Sequence, residues 1–237
     1  MTINNVEFIQ EHYSEQIHAL NNFIKDVYSY LPHKDYSLIR FGGGTALAIY
    51  YFQHRLSFDI GLFVTDIQVL NYLSPKHWIE ETDNFNSSKY IDLSNHIRVL
   101  EKRNNIKVDV LVSQEASSDY LLDDSKALFG ETVYVESIED IIAKKIVYRR
   151  NDNLTRDIID IAIAINHADN ILEKLFVAQK INKEDIQDLY NAIERLDRET
   201  FDEEIEIVAP FEKYMNDAMN APEIISEVCK KLLLSMG

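Results

Sequence analysis

The sequence predicts an α+β fold: a mixed sheet flanked by helices, followed by a C-terminal bundle of helices. Three observations carry that prediction. Short, strand-like apolar runs are confined to residues 37–135. Beyond residue 137 the apolar side chains recur only at the three- to four-residue spacing of amphipathic helices. Glycine and proline are scarce, six and four among 237 residues, which suits long helices with few long loops. The change of periodicity divides the chain into an α/β domain, residues 1–136, and a helical domain, residues 137–237.

Taken in order, residues 6–31 place Ile9, Ile17, Leu20, Phe23, Ile24, Val27 and Leu31 at helical spacing, and Pro32 ends the segment. Residues 37–41 form a short strand that breaks at Gly42-Gly43-Gly44. Residues 45–53 read as a buried helix and 58–64 as a strand. A helix follows at 67–81, interrupted near Ser74-Pro75. Residues 96–102 and 106–112 alternate on either side of Asn104-Asn105, a pair that tolerates positive φ, and so predict a hairpin. A last short strand lies at 132–135. Ser137 and Asp140 open the helical part in the manner of a capping box. Helices are expected at 137–150, 155–167, 169–180, 183–196, 209–219 and 222–235.

Composition narrows the classes of function. No stretch approaches the roughly 18 apolar residues that a membrane helix needs, and the N-terminus lacks a basic region followed by an apolar run. A single cysteine, Cys229, excludes an internal disulfide and suits a reducing compartment. The expectation is a soluble, cytoplasmic protein with no membrane partner. The net charge of −16 opposes non-specific binding to phosphate backbones. Charge is uneven, however. Lys144, Lys145, Arg149, Arg150 and Arg156 fall within thirteen residues that hold one acid, Asp152, whereas residues 199–206 hold five carboxylates and no base. The basic island is either a solvated face or a site for an anionic ligand.

Residues 41–64, FGGGTALAIYYFQHRLSFDIGLFV, carry the clearest chemistry. A strand, a glycine turn, a buried helix and a carboxylate on the next strand suit a triphosphate. Glycines let backbone N–H groups approach phosphate oxygens, and a carboxylate can hold Mg²⁺ against them. A triple glycine alone equally marks a tight turn without a ligand. Asp109, in IKVDVLV, lies on the strand face opposite Val108 and Val110, and alone it reads as an exposed strand acid.

The segment resembles the signature of the AbiEii/AbiGii-type nucleotidyltransferase toxins. Gly43, Gly44, Thr45, Ala46, Leu47, His54, Arg55, Ser57, Asp59, Ile60, Leu62 and Phe63 match it at consistent spacing. SIEDIIAKKI is similar to a helix of that family and places Lys145 at its nucleotide-contacting lysine. RDIIDI, with Arg156, Asp157 and Asp160, is similar to the block that follows. The resemblance spans roughly residues 38–165 and leaves the C-terminal seventy outside it. It implies a nucleotidyltransferase-like mixed sheet and a Mg²⁺-dependent transfer of a nucleoside monophosphate from a nucleoside triphosphate to an RNA acceptor, such as tRNA, or to a protein. The implied setting is a toxin–antitoxin or phage-defence pair, with an antitoxin protein as partner.

In that frame Asp59, Asp109 and Lys145 are the candidate catalytic residues, and Asp59 and Asp109 the Mg²⁺ ligands. Gly43, Gly44, Thr45, Arg55, Ser57 and Lys145 would contact the nucleotide. Arg55 could equally be a structural partner for an acid, His54 reads as a packing or hydrogen-bonding residue, and Asp160 as a helix anchor, with Arg156 one turn earlier on the same face. The departure is Gly61, which stands where the family has the second Asp of Asp-x-Asp. It brings neither charge nor oxygen, so at least one cation should bind weakly. The expected consequence is lowered or lost activity, and the alternative function is an inactive relative that binds a nucleotide or a partner. An adaptor docked through the acidic helical half is a third reading.

Overall fold

The computed structural model describes residues 5–113, 119–149 and 154–236. Arg150 and Asp152 of the basic island lie outside the described residues. The chain forms two compact units, one of Met1–Tyr51 and Ser57–Ser137, the other of Phe52–Leu56 and Ile138–Gly237.

The first unit is a seven-stranded mixed sheet with helices. Its strands are β1 (Ile39–Gly42), β2 (Ile60–Val64), β3 (Ile91–Leu93), β4 (His96–Leu100), β5 (Lys107–Val112), β6 (Tyr120–Asp123) and β7 (Val133–Glu136), in the order β3-β4-β5-β2-β1-β7-β6. β2 runs antiparallel to β1 and parallel to β5, while β4 returns antiparallel beside β5. Alternation along the central strands buries Phe41, Ile60, Leu62, Val64, Val108 and Val110. The first helical segment is two helices, α1 (Val6–His12) and α2 (Ser14–Val27), because the backbone of fully buried Tyr13 leaves helical geometry. α2 packs on β2 and β5, and its Phe23 meets Trp78 and Phe85 edge-on with ring centroids 6.0 Å apart.

The glycine turn follows β1. Gly43 takes φ 70°, a conformation that any side chain would strain, and opens α3 (Gly43–Ala46). The chain continues as a π-helical stretch, Leu47–Phe52, with Leu47, Ala48 and Ile49 buried. At Gly42 a Cβ would fall 1.8 Å from Glu136 Oε2, so the Glu136 carboxylate occupies the space above this glycine. Further along are α4 (Ile67–Tyr72), capped by Asp66, and 3₁₀ turns around Pro75, where the expected helix is interrupted.

The helical unit contains α5 (Ile138–Arg149), α6 (Thr155–His167), α7 (Ile171–Val177), α8 (Lys183–Glu194), α9 (Arg198–Val208), α10 (Met215–Met219) and α11 (Ala221–Ser235). α6 is its centre: every residue from 157 to 164 is buried, and α9, α10 and α11 all pack on it. The segment Phe52–Leu56 belongs to this unit. Tyr214 donates to the Phe52 carbonyl at 2.7 Å, Phe211 N–H donates to the His54 carbonyl at 2.8 Å, and Arg55 bridges to Pro210. Among the described residues no strand follows β7, in keeping with the periodicity, and no helix is long and apolar enough to cross a membrane.

Candidate active site

Strand register sets out one face of the sheet. Arg98 on β4 lies opposite Asp109 on β5, Asp109 opposite Gly61 on β2, and Gly61 opposite Gly42 on β1. These residues form a single row across four strands, on the face away from Ile60, Leu62, Val108 and Val110. The two glycines leave the β2–β1 end of the row without side chains of its own, and the Glu136 carboxylate reaches over Gly42. Asp59 precedes β2 by one residue and sits two positions from Gly61, with Lys107 Nζ 3.9 Å from its carboxylate.

Asp109 is held from β4. Arg98 Nε donates to its Oδ1 at 2.6 Å and Nη2 to its Oδ2 at 3.2 Å, while His96 Nε2 lies 2.6 Å from Oδ1. The Asp109 hydrogen bond pushes the Arg98 guanidinium above its usual pKa, more than its partial burial lowers it, and the charges of Asp109 and Asp59 add to the rise. Arg98 and His96 were not legible as site residues, because their pairing with Asp109 depends on the hairpin register.

Thr45 and Ser57, both expected to touch a nucleotide, face each other inside the fold. Thr45 Oγ1 lies 2.8 Å from Ser57 Oγ and donates to the Asp59 carbonyl, and Gln16 Nε2 donates to the Ser57 carbonyl at 2.7 Å. These bonds tie the backbone leading into Asp59 to α3 and α2. Gly43 and Gly44 form the turn at the start of α3.

Lys145 and Arg55 lie in the helical unit, in a buried ionic network centred on Asp160. Arg55 Nε and Nη2 donate to the two Asp160 oxygens at 2.7 and 2.8 Å. His54 Nε2 stands 2.6 Å from Oδ1, and Lys145 Nζ 2.9 Å from Oδ2. Lys145 also donates to Asp157 at 2.6 Å, with Arg149 Nε 3.3 Å from that carboxylate. Asp160 is fully buried, and its partners are these three rather than Arg156, which is exposed. Burial opposes its ionisation, yet Arg55, Lys145 and His54 outweigh burial and hold the carboxyl well below the usual range. Burial drives His54 the other way, lowering it against the pull of Asp160, so the ring is neutral. Its Nδ1 has no hydrogen-bond partner among the described residues, so a second ring proton would be buried without an acceptor.

The donor set can be weighed against Mg²⁺. Asp59 and Asp109 offer hard carboxylate oxygens, and Mg²⁺ commonly takes one or two carboxylates together with substrate phosphates. Gly61 supplies none. Among the described residues no group of three or more His, Cys, Asp or Glu side chains converges to hold a metal. The residues present fit one cation completed by phosphate and water, and do not fit a pair held by protein alone.

The sheet with its following helices is the nucleotidyltransferase fold. The chain matches the family described as "Nucleotidyl transferase AbiEii toxin, Type IV TA system" over residues 30–223, and it belongs to that family. Among solved structures, MenT4, a nucleotidyltransferase toxin from Mycobacterium tuberculosis H37Rv, is similar with a TM-score of 0.53 at 17% identity, covering 97% of this chain and 93% of that one. JHP933 from Helicobacter pylori aligns with a TM-score of 0.49 at 14% identity, covering 99% and 98% of the two chains. A putative nucleotidyltransferase from H. pylori aligns at 0.47 and 15% identity, covering 92% and 95%. No curated protein matches the chain. The family match reaches well past residue 165, so most of the helical unit is part of the family's pattern.

Proposed function

We propose that this chain is a nucleotidyltransferase toxin whose sheet face holds a nucleoside triphosphate with Mg²⁺ at Asp59 and Asp109, and whose transfer activity is lowered by Gly61. The observation that supports the reading is the row on the sheet: Asp109 and Gly61 stand in register on neighbouring parallel strands, with Asp59 two residues before Gly61. A bound cation would neutralise phosphate charge and orient the α-phosphorus for in-line attack. The glycine turn brings backbone close to the phosphates. Thr45, Ser57 and Gln16 fix the backbone that carries Asp59. Lys145, which the resemblance makes a nucleotide contact, is engaged with Asp157 and Asp160 in the helical unit. An acceptor hydroxyl on RNA (tRNA) or protein forms the new P–O bond, the bond to the β-phosphate oxygen breaks, pyrophosphate leaves with that electron pair, and the hydroxyl proton passes to water. An antitoxin protein is the expected partner.

A second reading, a family member that binds nucleotide without transferring it, is favoured by one observation. Both remaining carboxylates already face cationic side chains, Asp109 with Arg98 and Asp59 with Lys107. Gly61→Asp separates the two readings. Labelled nucleoside triphosphates, each offered in turn with RNA and protein acceptors and Mg²⁺, should give transfer that rises at least tenfold in Gly61→Asp, the tenfold corresponding to ~1.4 kcal/mol in the barrier. The gain should vanish when Asp59→Ala or Asp109→Ala is added, because the three side chains would act through shared cations. Host growth should stop on expression of the restored form. Equal transfer by the parent chain and Gly61→Asp would remove the role given to Gly61, and Mg²⁺-nucleotide binding without transfer by either would establish the second reading.

A further inference from the structure

A two-cation site works because several carboxylates hold more negative charge than the protein neutralises. Around Asp59 and Asp109 the balance is different. Two carboxylates, Asp59 and Asp109, face two permanent cations, Lys107 and Arg98, with His96 as a further partner of Asp109. Gly61 contributes no carboxylate to the row, and the next acid along it, Glu136, has its carboxylate over Gly42 rather than over Gly61. A cation approaching Asp109 therefore meets oxygens already engaged by a guanidinium in a bidentate grip.

We propose that Arg98 is the resident counter-ion of Asp109, standing where a divalent cation would, so that cation entry requires the guanidinium to swing off the carboxylate. The inference rests on the assignment of Asp109 as a cation ligand. Exposure makes the exchange feasible: the Arg98 side chain is 40% exposed while Asp109 is 14% exposed, so the arginine can leave toward solvent without opening the core. The β4–β5 register keeps Arg98 directly opposite Asp109, and a released guanidinium stays beside the site, where its planar fork suits phosphate oxygens. Arg98 is a positioning residue in this account. It makes the metal-free site stable and the loaded site dependent on a nucleotide that gives the guanidinium another anion to hold.

The alternative is an ordinary cross-strand ion pair that steadies the hairpin and has no bearing on cation binding. Mn²⁺ binding to the full-length chain, followed by the electron paramagnetic resonance signal of free Mn²⁺, distinguishes the two. Arg98→Gln should bind Mn²⁺ about tenfold more tightly than the parent chain, the ratio expected when one charge-assisted bidentate contact no longer competes. Arg98→Lys keeps the charge but loses the fork, and should fall between them. Asp109→Asn should abolish the gain. Far-ultraviolet circular dichroism of each variant reports whether it is folded, and Arg98→Lys carries the test if Arg98→Gln is not. Equal or weaker Mn²⁺ binding by folded Arg98 variants, with binding still lost in Asp109→Asn, overturns the counter-ion role and leaves the site assignment standing. Mn²⁺ binding that is unaffected by Asp109→Asn, or absent from every form, overturns both.

Discussion

Two aspartates in this protein are held by nearly identical hands. Asp109 in the sheet unit and Asp160 in the helical unit each receive an arginine Nε on Oδ1, the Nη2 of the same arginine on Oδ2, and a histidine Nε2 at 2.6 Å. Burial separates them. Arg98 is 40% exposed, whereas Arg55 is 4% and Asp160 0% exposed. In water a charge loses little when its partner leaves, and inside the protein it loses its only solvation. The same constellation is therefore an exchangeable pair at Asp109 and a fixed structural centre at Asp160. Arg55, which the motif alone left open between a ligand contact and an internal partner, acts at Asp160 as an internal partner that ties residues 52–56 to the helices.

The sharpest way to break this comparison is to neutralise each aspartate in turn. Asp160→Asn removes the charge that Arg55 and Lys145 share and should cost about 3–5 kcal/mol of unfolding free energy, as loss of one partner in a buried ionic network does. Asp109→Asn should cost about 1 kcal/mol or less, because solvent can take over Arg98 and His96. Urea unfolding followed by circular dichroism measures both. Similar losses would show that burial does not govern the difference.

A smaller effect sharpens the comparison through pH. His54 is held neutral by burial, with its pKa below the usual imidazole range. The unfolded chain binds a proton near pH 6.5 that the folded chain refuses, so stability is complete above that pH and declines as pH falls below it. The slope from this one residue should reach about 1.4 kcal/mol per pH unit between the unfolded and folded pKa values. Asp160, whose pKa is depressed, adds a second loss only below about pH 4, as the unfolded carboxylates take up protons. Urea midpoints from pH 7.5 to 5 should fall in the parent chain, and His54→Gln should flatten that decline. An unchanged slope in His54→Gln would assign the pH dependence elsewhere.

Much of this architecture was legible from local pattern, and what was missed has a common cause. β4 and β5 announce themselves by alternation, β2 and β7 as short strand-like runs, and α6 by its helical spacing. β3 and β6 are short edge strands with little burial, so they carry no apolar period. α9 hid among the acids of residues 199–206, although its Asp197 cap and buried Phe201 and Ile205 mark a helix. Within the candidate site, Asp59 and Asp109 could be found from strand pattern and family resemblance. Arg98 could not. A two-residue turn at Asn104-Asn105 would set Arg98 opposite Leu111. The real loop is longer, closed by Glu101 N–H donating to the Ile106 carbonyl at 2.8 Å with Asn105 at φ 57°, and this register places Arg98 opposite Asp109. Arg55 and Asp160 are 105 residues apart in sequence, beyond the reach of any periodicity.

The smallest expected effect concerns Gly61, and its smallness is what makes the position informative. A Cβ built on Gly61 would lie 3.3 Å from the Gly42 carbonyl oxygen and 3.5 Å from the Phe63 ring, so its neighbours need give only a few tenths of an ångström. Gly61 does not have positive φ, so an L side chain meets no backbone strain. Replacing glycine in a strand also removes conformational freedom from the unfolded chain, which favours the variant. Against this, a carboxylate at position 61 would stand directly across from Asp109 and two residues from Asp59, and like charges facing across strands are unfavourable. Arg98 and Lys107, paired with Asp109 and Asp59, offset part of that repulsion. The opposing contributions leave Gly61→Asp within about 1 kcal/mol of the parent in urea unfolding, and adding Mg²⁺ should shift the balance toward the variant. Divalent cations should therefore raise the melting temperature of Gly61→Asp more than that of the parent. A loss of several kcal/mol would mean that the sheet requires glycine for packing at position 61, and any change in transfer activity could then no longer be credited to an added ligand.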